Sequence, residues 1–343
     1  QHHTMMIDAP VAVAINEEDV QTYQRDGVIA IRNVLTQQQI QDGKDAFQAS
    51  VEQFAGPQAE FIISPASEDW TGAVNNNSIA ENDDINNSSN MSSCSSNMSS
   101  CDSIPFPPPW IMFQDQYSSK RCPAMMKFIV ESGAAYLAAQ LMSSKSATFL
   151  YDHLISKRCS SSSTSSKTKN DENVIPWHQD LPYWSVEGTF CSVWFPLDAM
   201  SNDVAVEYIL GSHRWGVFQP RHFVDASPYE GTDHMPPMPD IRQLVQQSQA
   251  RSIKFDVRPG DALVFDARII HGSPGNTDVV NNSTTTSSSS TGQRRIALRF
   301  GGDDAMYVDK PHETSIPTPD ILHSLKHGDP LWQSHEFPRL WPV

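Results

Sequence analysis

The sequence predicts a mainly β fold, a β-sandwich or jelly roll that is buttressed by helices. The first observation is that helical patterns are concentrated before about residue 145. The second is that short runs rich in β-branched and aromatic residues follow from about residue 147, with turns between them. A group of helices followed by a group of short strands indicates a layered β core with helices covering it.

The amino-terminal half contains helical patterns and one strand. EEDVQTYQRDG is a short helical pattern that Gly27 ends, and VIAIR follows as a strand. Thr36 and Gln39 have the spacing of a capping box, and apolar residues then recur at helical intervals. The run CPAMMKFIVESGAAYLAAQLM predicts a single further helix.

Six later runs predict the strands of the core. They are ATFLYDHLISK, TFCSVWFPLD, VAVEYIL, SIKFDVR, ALVFDARIIH and RRIALRF. The segment RPGD at 258–261 predicts a turn between two of them.

We expect one domain over residues 9–343, preceded by a disordered tag remnant at 1–8. Three low-complexity loops rich in Ser, Asn and Thr have too little apolar surface to pack. The parts of the domain are a helical buttress at about 15–145, a jelly-roll core at about 147–304 and a carboxy-terminal extension at 305–343, with the loops at about 75–103, 158–173 and 281–292.

The composition limits the partners and the compartment. Lys plus Arg is 24, Asp plus Glu is 40, and the net charge of −16 argues against nucleic acid and against an anionic membrane. The sequence contains no run of 18 apolar residues, so no membrane span is predicted. The five Cys residues show no CxxC pair, which fits a reducing compartment. We therefore expect an intracellular, cytoplasmic protein with a small-molecule substrate; an organellar location and the oligomeric state stay open.

The run WHQDLPYW places His178 and Asp180 two residues apart. In an extended strand both side chains would face one cavity. A second His from a later strand would complete a 2-His-1-carboxylate set, which leaves open positions on Fe(II). His271, which ends the apolar run ALVFDARIIH, is the candidate. His327 and Asp329 have the same spacing but no later strand supplies a partner, so we interpret this pair as chance.

Four motifs occur in order: WHQDLPYW, YILGSHRWG, RPGDALVFDARIIHGSPGN and RRIALRFGGDD. Together they resemble the phytanoyl-CoA dioxygenase family over most of residues 147–304. The resemblance implies a double-stranded β-helix that uses Fe(II), 2-oxoglutarate and O2, with ascorbate as a further expected cofactor. It implies that the iron ligands are His178, Asp180 and His271, and that the co-substrate pocket is lined by Gln179, Trp194 and Ser273.

The resemblance also implies the reaction, in which 2-oxoglutarate is converted to succinate and CO2 while a substrate is hydroxylated. Related halogenases have a small residue in place of the carboxylate, so Asp180 favours hydroxylation. The family uses a downstream arginine for the distal carboxylate of 2-oxoglutarate.

Three arginines of the run QRRIALRF are candidates for this role, and strand alternation divides them between two faces. Arg295, Ala297 and Arg299 share a polar face, whereas Arg294 shares its face with apolar residues that should pack against the helices. We expect the start of the strand to lie nearest to His271, which favours Arg295 over Arg299. Arg294 stays as an alternative, because the register is uncertain by one or two residues.

Two other classes of protein stay open. One is a non-catalytic jelly-roll protein that binds a small molecule. The other is a zinc enzyme on the same scaffold, because two His, one carboxylate and a water also suit zinc. The arginine motif disfavours zinc, since a buried cation is needed for 2-oxoglutarate.

The substrate is the least determined feature. Basic residues are few and scattered, which disfavours the phosphates of an acyl-CoA. A cationic or zwitterionic small molecule is predicted instead by four residues, Asp198, Glu207, Tyr183 and Trp184.

Three further polar residues have competing interpretations. Asp152 and His153 are read equally well as a second layer around the metal or as a structural hydrogen-bonded pair. We interpret His213 as fixing a turn rather than binding metal.

Overall fold

A computed structural model of the protein describes most of the predicted core and part of the predicted buttress. The predicted loops at about 75–103, 158–173 and 281–292, and the tag remnant at 1–8, lie outside the described residues. The described residues are 14–54, 62–63, 112–157, 175–200, 202, 205–222, 227–273, 293–312 and 325–342.

The described helices flank the β core. They are α1 (Glu17–Asp26), α2 (Gln37–Phe54), α3 (Pro123–Glu131), α4 (Ala134–Leu141) and α5 (Ile241–Gln246). Asn16 caps α1, and Gly27 ends it in the left-handed region with a φ of 79°. The capping box predicted for α2 is confirmed, because Thr36 and Gln39 each bond the other's backbone N–H. None of the described helices is long and apolar enough to cross a bilayer.

The prediction of one continuous helix after Cys122 is wrong, because α3 and α4 are separate. Gly133 adopts a φ of 75° between them. The Ser132 hydroxyl donates to the Ile129 carbonyl at 3.0 Å and accepts from the Ala134 N–H at 3.3 Å. A side chain that competes for backbone groups, followed by a glycine that tolerates positive φ, is sufficient to break the helix.

Antiparallel strands form two main sheets. In chain order the strands are β1 (Val28–Ile31), β2 (Ile62–Ile63), β3 (Met112–Gln116), β4 (Ala147–Lys157), β5 (Ile175–His178), β6 (Val186–Glu187), β7 (Phe190–Pro196), β8 (Glu207–Ile209), β9 (Ser252–Lys254), β10 (Ala262–Asp266), β11 (His271–Ser273), β12 (Gln293–Gly301), β13 (Met306–Tyr307) and β14 (Arg339–Trp341). The larger sheet has the order β1-β10-β7-β12-β4-β3-β2, with β14 also paired to β4. The smaller sheet has the order β5-β11-β8-β9, and β13 pairs with β6. The predicted mainly β jelly roll with flanking helices is confirmed, and the described strands do not close into a barrel.

The two faces of the larger sheet have different surroundings. Val193, Leu298 and Phe300 lie in the apolar cluster that includes the helices. Trp194 and Ala297, on the opposite face, lie in a cluster with Tyr208 of the smaller sheet. The interior between the two sheets is therefore the place where side chains of both sheets meet.

The run ALVFDARIIH does not form the single strand that the sequence predicts. β10 ends at Asp266, and its carboxylate accepts from the Arg268 N–H at 2.8 Å. The chain turns, because the Ile269 N–H donates to the Asp266 carbonyl at 3.0 Å. His271 then begins β11 in the other sheet, rather than ending the apolar strand.

Gly27→Ala is expected to lower the free energy of unfolding by about 2–4 kcal/mol. A Cβ at this position would require a φ of 79° and would lie 2.4 Å from the His213 Nδ1. Urea unfolding followed by circular dichroism measures the loss. Gly328→Ala is the matched control, because its φ is 90° but a Cβ would meet nothing within 4 Å. Equal losses in the two variants would show that the contact with His213 contributes nothing.

Candidate metal centre

The two histidines meet across neighbouring strands. His178 is the last residue of β5, His271 is the first of β11, and the two are register partners. Asp180 does not continue the strand as predicted, because it adopts helical φ and ψ at the start of a 3-10 turn. The following Leu181 N–H donates to the Ala267 carbonyl at 2.9 Å, which fixes this turn next to β11. The turn, rather than strand alternation, brings the carboxylate back to the imidazoles.

The three side chains converge on one point. Asp180 Oδ1 lies 3.6 Å from His178 Nε2 and 3.7 Å from His271 Nε2. One potential ligand atom from each residue lies within 4.8 Å of the others. Ligands bonded to one ion at 2.0–2.2 Å lie roughly 3–3.5 Å apart, so a small inward movement suffices to hold a metal.

Backbone carbonyls orient both imidazoles for this purpose. His178 Nδ1 lies 2.8 Å from the Pro176 carbonyl, and His271 Nδ1 lies 3.1 Å from the Ile269 carbonyl. Carbonyls only accept, so Nδ1 carries the proton and the Nε2 lone pair faces the metal position. Burial, together with the charge of His178, lowers the pKa of His271 to about 4, which keeps it neutral at pH 7.

The two oxygens of Asp180 have different neighbours. Oδ1 faces the histidines, whereas Oδ2 lies 3.4 Å from the Ser192 hydroxyl and 3.7 Å from Arg299 Nε. Burial acts to raise the pKa of Asp180, but its contacts with His178, His271 and Arg299 lower the pKa below its usual range. The carboxylate is therefore ionised and presents one oxygen to the metal position.

The arginines of β12 divide between the two faces as alternation predicts. Arg294 is paired with Asp198 by two bonds, from Nε at 2.9 Å and from Nη2 at 2.8 Å. Arg295 and Arg299 are 2% and 4% exposed. The same face contains Ala297, which is the register partner of Trp194. The interior thus contains two buried guanidinium groups.

Arg295 has donors without acceptors. Within the part of the chain that the structure describes, its Nε and Nη2 make no hydrogen bond, and the same is true of Trp194 Nε1 and the Tyr208 hydroxyl. Its guanidinium lies 4.9 Å from the centre of the Trp194 ring. Burial lowers the pKa of Arg295 to about 10, so it remains charged. Unpaired buried donors are costly, and their grouping suits a bound carboxylate.

The position expected for these arginines along β12 is wrong. Arg299, not Arg295, approaches the metal position, with Nε 3.7 Å from Asp180. His271 is the first residue of β11, so the metal position lies at the start of that strand. β12 runs in the opposite direction, so its last residues lie nearest to the metal position. Arg295 lies four residues earlier, roughly 13 Å along the strand from Arg299.

Gln179 lines the recess that reaches His178, and its side-chain amide is held by three hydrogen bonds to the backbone. Its amide nitrogen donates to the carbonyls of Gly216 at 2.8 Å and Arg268 at 2.6 Å. Its amide oxygen accepts from the Phe218 N–H at 2.8 Å. The side chain therefore connects three segments of backbone at the position between His178 and Asp180. Ser273 is buried two residues beyond His271.

The structure distinguishes between the alternative interpretations of Asp152, His153 and His213. Asp152 accepts from the backbone N–H and the hydroxyl of both Ser118 and Ser119, so it is structural. His153 is the register partner of Ala297, and its Nε2 lies 2.9 Å from the Gln114 side-chain oxygen. His213 Nε2 lies 3.1 Å from the Gln24 carbonyl, which joins its turn to α1.

The residues expected to bind a cationic substrate have other partners or are buried, although Tyr183 also lines the recess beside His178. The Asp198 carboxylate is paired with Arg294 at 2.8 Å. Trp184 is 2% exposed in an apolar cluster, and the Tyr183 hydroxyl donates to the Arg221 carbonyl at 2.8 Å. Glu207 lies 3.9 Å from Lys254. The structure therefore does not support that expectation. Tyr208, which was not predicted from the sequence as part of the site, is the register partner of His271.

The His153 side chain makes stability depend on pH. Burial, together with the charge of Arg299, lowers its pKa to about 3, whereas an unfolded His has a pKa near 6.5. The unfolded chain therefore binds a proton that the folded protein does not, and stability falls as the pH drops from 6.5 towards 3. From pH 7 to pH 5 this residue removes roughly 2 kcal/mol. Urea unfolding at both pH values should show a smaller difference for His153→Gln. An unchanged difference would assign the dependence to other groups.

Two histidines and a carboxylate at one end of a jelly roll form the ligand set of non-haem iron oxygenases. The family model for phytanoyl-CoA dioxygenase matches residues 23–278. The chain belongs to this family. The sequence resemblance is thereby confirmed, and with it the class of Fe(II)- and 2-oxoglutarate-dependent oxygenases that use O2.

Solved structures share the fold at low sequence identity. SnoK, an alpha ketoglutarate-dependent carbocyclase from nogalamycin biosynthesis, is 14% identical, with a TM-score of 0.59, over 95% of this chain and 96% of its own. The epimerase SnoN, in complex with Fe3+ and alpha ketoglutarate, is 16% identical, with a TM-score of 0.55, over 94% and 98%. EctD from S. alaskensis with bound Fe is 14% identical, with a TM-score of 0.53, over 89% and 82%. A search of curated proteins finds no match.

Proposed function

We propose that the protein hydroxylates a small molecule with Fe(II), 2-oxoglutarate and O2, and releases succinate and CO2. The iron ligands are His178, Asp180 and His271. The observation that supports this most strongly is the convergence of their three ligand atoms within 4.8 Å at one end of the jelly roll.

The protein's contribution is to hold three donors and leave the rest of the coordination sphere open. Nε2 of each His and Oδ1 of Asp180 occupy one side of the metal position. When bound, Fe(II) would supply the oxidative chemistry together with 2-oxoglutarate and O2. A carboxylate ligand at Asp180, where related halogenases have a small residue, favours hydroxylation.

The distal carboxylate of 2-oxoglutarate is proposed to pair with Arg295. The unpaired Nε and Nη2 can donate two parallel bonds. Trp194 and Tyr208 are buried, at 5% and 0% exposure, and exclude water around that pair. Arg294 is not retained for this role, because Asp198 occupies its guanidinium. Ser273 is proposed to line the co-substrate pocket, and Gln179 is proposed to position the pocket wall through its three hydrogen bonds to the backbone.

The neighbours support the use of a small substrate but not one particular outcome. The EctD structure contains 2-oxoglutarate and 5-hydroxyectoine, whereas SnoK and SnoN are a carbocyclase and an epimerase. We further propose an intracellular protein without nucleic-acid or membrane partners, given its net charge of −16 and its buried free Cys122 and Cys191. An ascorbate requirement stays a prediction.

The test is spectroscopy of the purified protein under nitrogen. Addition of 2-oxoglutarate to the Fe(II)-loaded protein should produce a charge-transfer absorption band, and admission of O2 should then yield succinate. The zinc-loaded protein is the control and should show neither. Succinate formation without the band, or activity that only zinc supports, would contradict the proposal. A substrate product heavier by one oxygen atom distinguishes hydroxylation from cyclisation or epimerisation.

A further inference from the structure

Arg299 has more donors than its surroundings can satisfy. It is 4% exposed, and among the residues that the structure describes neither its Nε nor its Nη1 finds a hydrogen-bond acceptor. Asp180 Oδ2, at 3.7 Å from Nε, is within ion-pair range but beyond hydrogen-bond range. Nη1 lies on a different edge of the planar group from the Nε–H, so Asp180 cannot satisfy both. A further acceptor is needed next to the metal position.

The charges of the interior lead to the same conclusion. On the proposed function, the two positive charges of Fe(II) and the two negative charges of 2-oxoglutarate cancel, and Asp180 cancels one arginine. The other arginine is left uncompensated, and an unpaired buried ion costs several kcal/mol.

The described neighbours of Arg299 do not supply the missing negative charge. Asp198 is bonded to Arg294, and Asp152 is the register partner of Leu298, whose side chain points to the opposite face of the sheet from that of Arg299. His153 is neutral at pH 7, since burial lowers its pKa to about 3. Tyr151 lies with its ring 5.4 Å from the Arg299 guanidinium and its side chain also hydrogen-bonds Arg299, but burial raises the pKa of Tyr151 to about 12, so it supplies no negative charge.

A recess that reaches a metal ligand is lined mostly by apolar side chains. His178 lines it, and most of its other walls are apolar, with Trp177, Phe218 and Met238 among them. The apolar body of a substrate would match this lining, while the negative group is required by Arg299.

We propose that the substrate is an organic acid, and that Arg299 binds its carboxylate beside the metal. This inference rests on the proposed function, and it reverses the cationic substrate that the sequence suggested. Arg295 then binds a carboxylate of the co-substrate, and Arg299 binds a carboxylate of the substrate beside the metal.

The test uses acetate as a minimal carboxylate probe of the Co(II)-loaded protein, under nitrogen and with saturating 2-oxoglutarate. Paramagnetic relaxation of the acetate methyl protons reports binding near the metal. Acetamide and methylammonium are the neutral and cationic controls. We expect relaxation of acetate alone. Arg299→Gln should weaken acetate binding by about 10-fold or more, which is about 1.4 kcal/mol. Arg299→Lys, which keeps the charge, should weaken it less.

Arg258→Gln is the matched control, because Arg258 is an exposed arginine on the turn before β10 and should bind acetate as the wild type does. Relaxation of acetamide or methylammonium equal to that of acetate would overturn the proposal. So would normal acetate binding by Arg299→Gln. If Arg299→Gln weakened 2-oxoglutarate as much as Arg295→Gln does, the bound carboxylate would be that of the co-substrate. Loss of Co(II) from Arg299→Gln would reduce its role to positioning Asp180. Failure of the wild type to bind Co(II) would instead contradict the proposed function.

Discussion

Asp180→Ala is expected to abolish 2-oxoglutarate turnover and to weaken Fe(II) binding by at least about 100-fold. Mutation of groups that merely orient a ligand already costs 10–100-fold in metal affinity or activity, so loss of a ligand should cost no less. The variant also removes the carboxylate that lies 3.7 Å from the buried Arg299. Metal content, Fe(II) affinity and succinate formation are the measurements.

Asp309→Ala is the control for this variant, because Asp309 is an exposed carboxylate that contacts Tyr307. It should keep wild-type iron affinity and turnover. Asp180→Asn keeps the side-chain volume and separates loss of the ligand from loss of packing. Full turnover by Asp180→Ala with iron bound would remove Asp180 from the metal site.

Arg295→Gln is expected to raise the KM for 2-oxoglutarate by about 10-fold or more. The lost charge-assisted contact is worth about 1.5–3 kcal/mol. The observation behind this expectation is that Nε and Nη2 of Arg295 are buried without acceptors. Anaerobic titration of the Fe(II) protein with 2-oxoglutarate measures the binding step separately from turnover.

Arg294→Gln is the matched control, since it changes the adjacent arginine of the same strand. It breaks the two bonds to Asp198, so it should lower the melting temperature while leaving the KM for 2-oxoglutarate within about 2-fold. If Arg294→Gln impaired 2-oxoglutarate binding and Arg295→Gln did not, the assignment of the inner face would be wrong, although membership of the family would stand.

Local patterns were sufficient for most of the fold. Alternation on β12 placed Arg295 and Arg299 on one face and Arg294 on the other, because successive side chains of a strand point to opposite sides. The break at Gly133 was missed, because a Ser-Gly pair inside a strong helical pattern is a weaker signal than the apolar periodicity around it. The split of ALVFDARIIH was missed for a similar reason, since a turn closed by Asp266 interrupts an otherwise apolar run.

The family, the kind of fold and the residues of the candidate metal centre could be predicted from short segments, because motif chemistry and strand alternation are local properties. Which end of the jelly roll holds that centre could not be predicted in this way. His178 and His271 meet because β5 and β11 pair, and Arg299 reaches Asp180 because β12 ends where β11 begins. Strand pairing between distant segments depends on the packing of the whole core, and a periodic pattern specifies which face a side chain takes but not which end of the sheet it reaches.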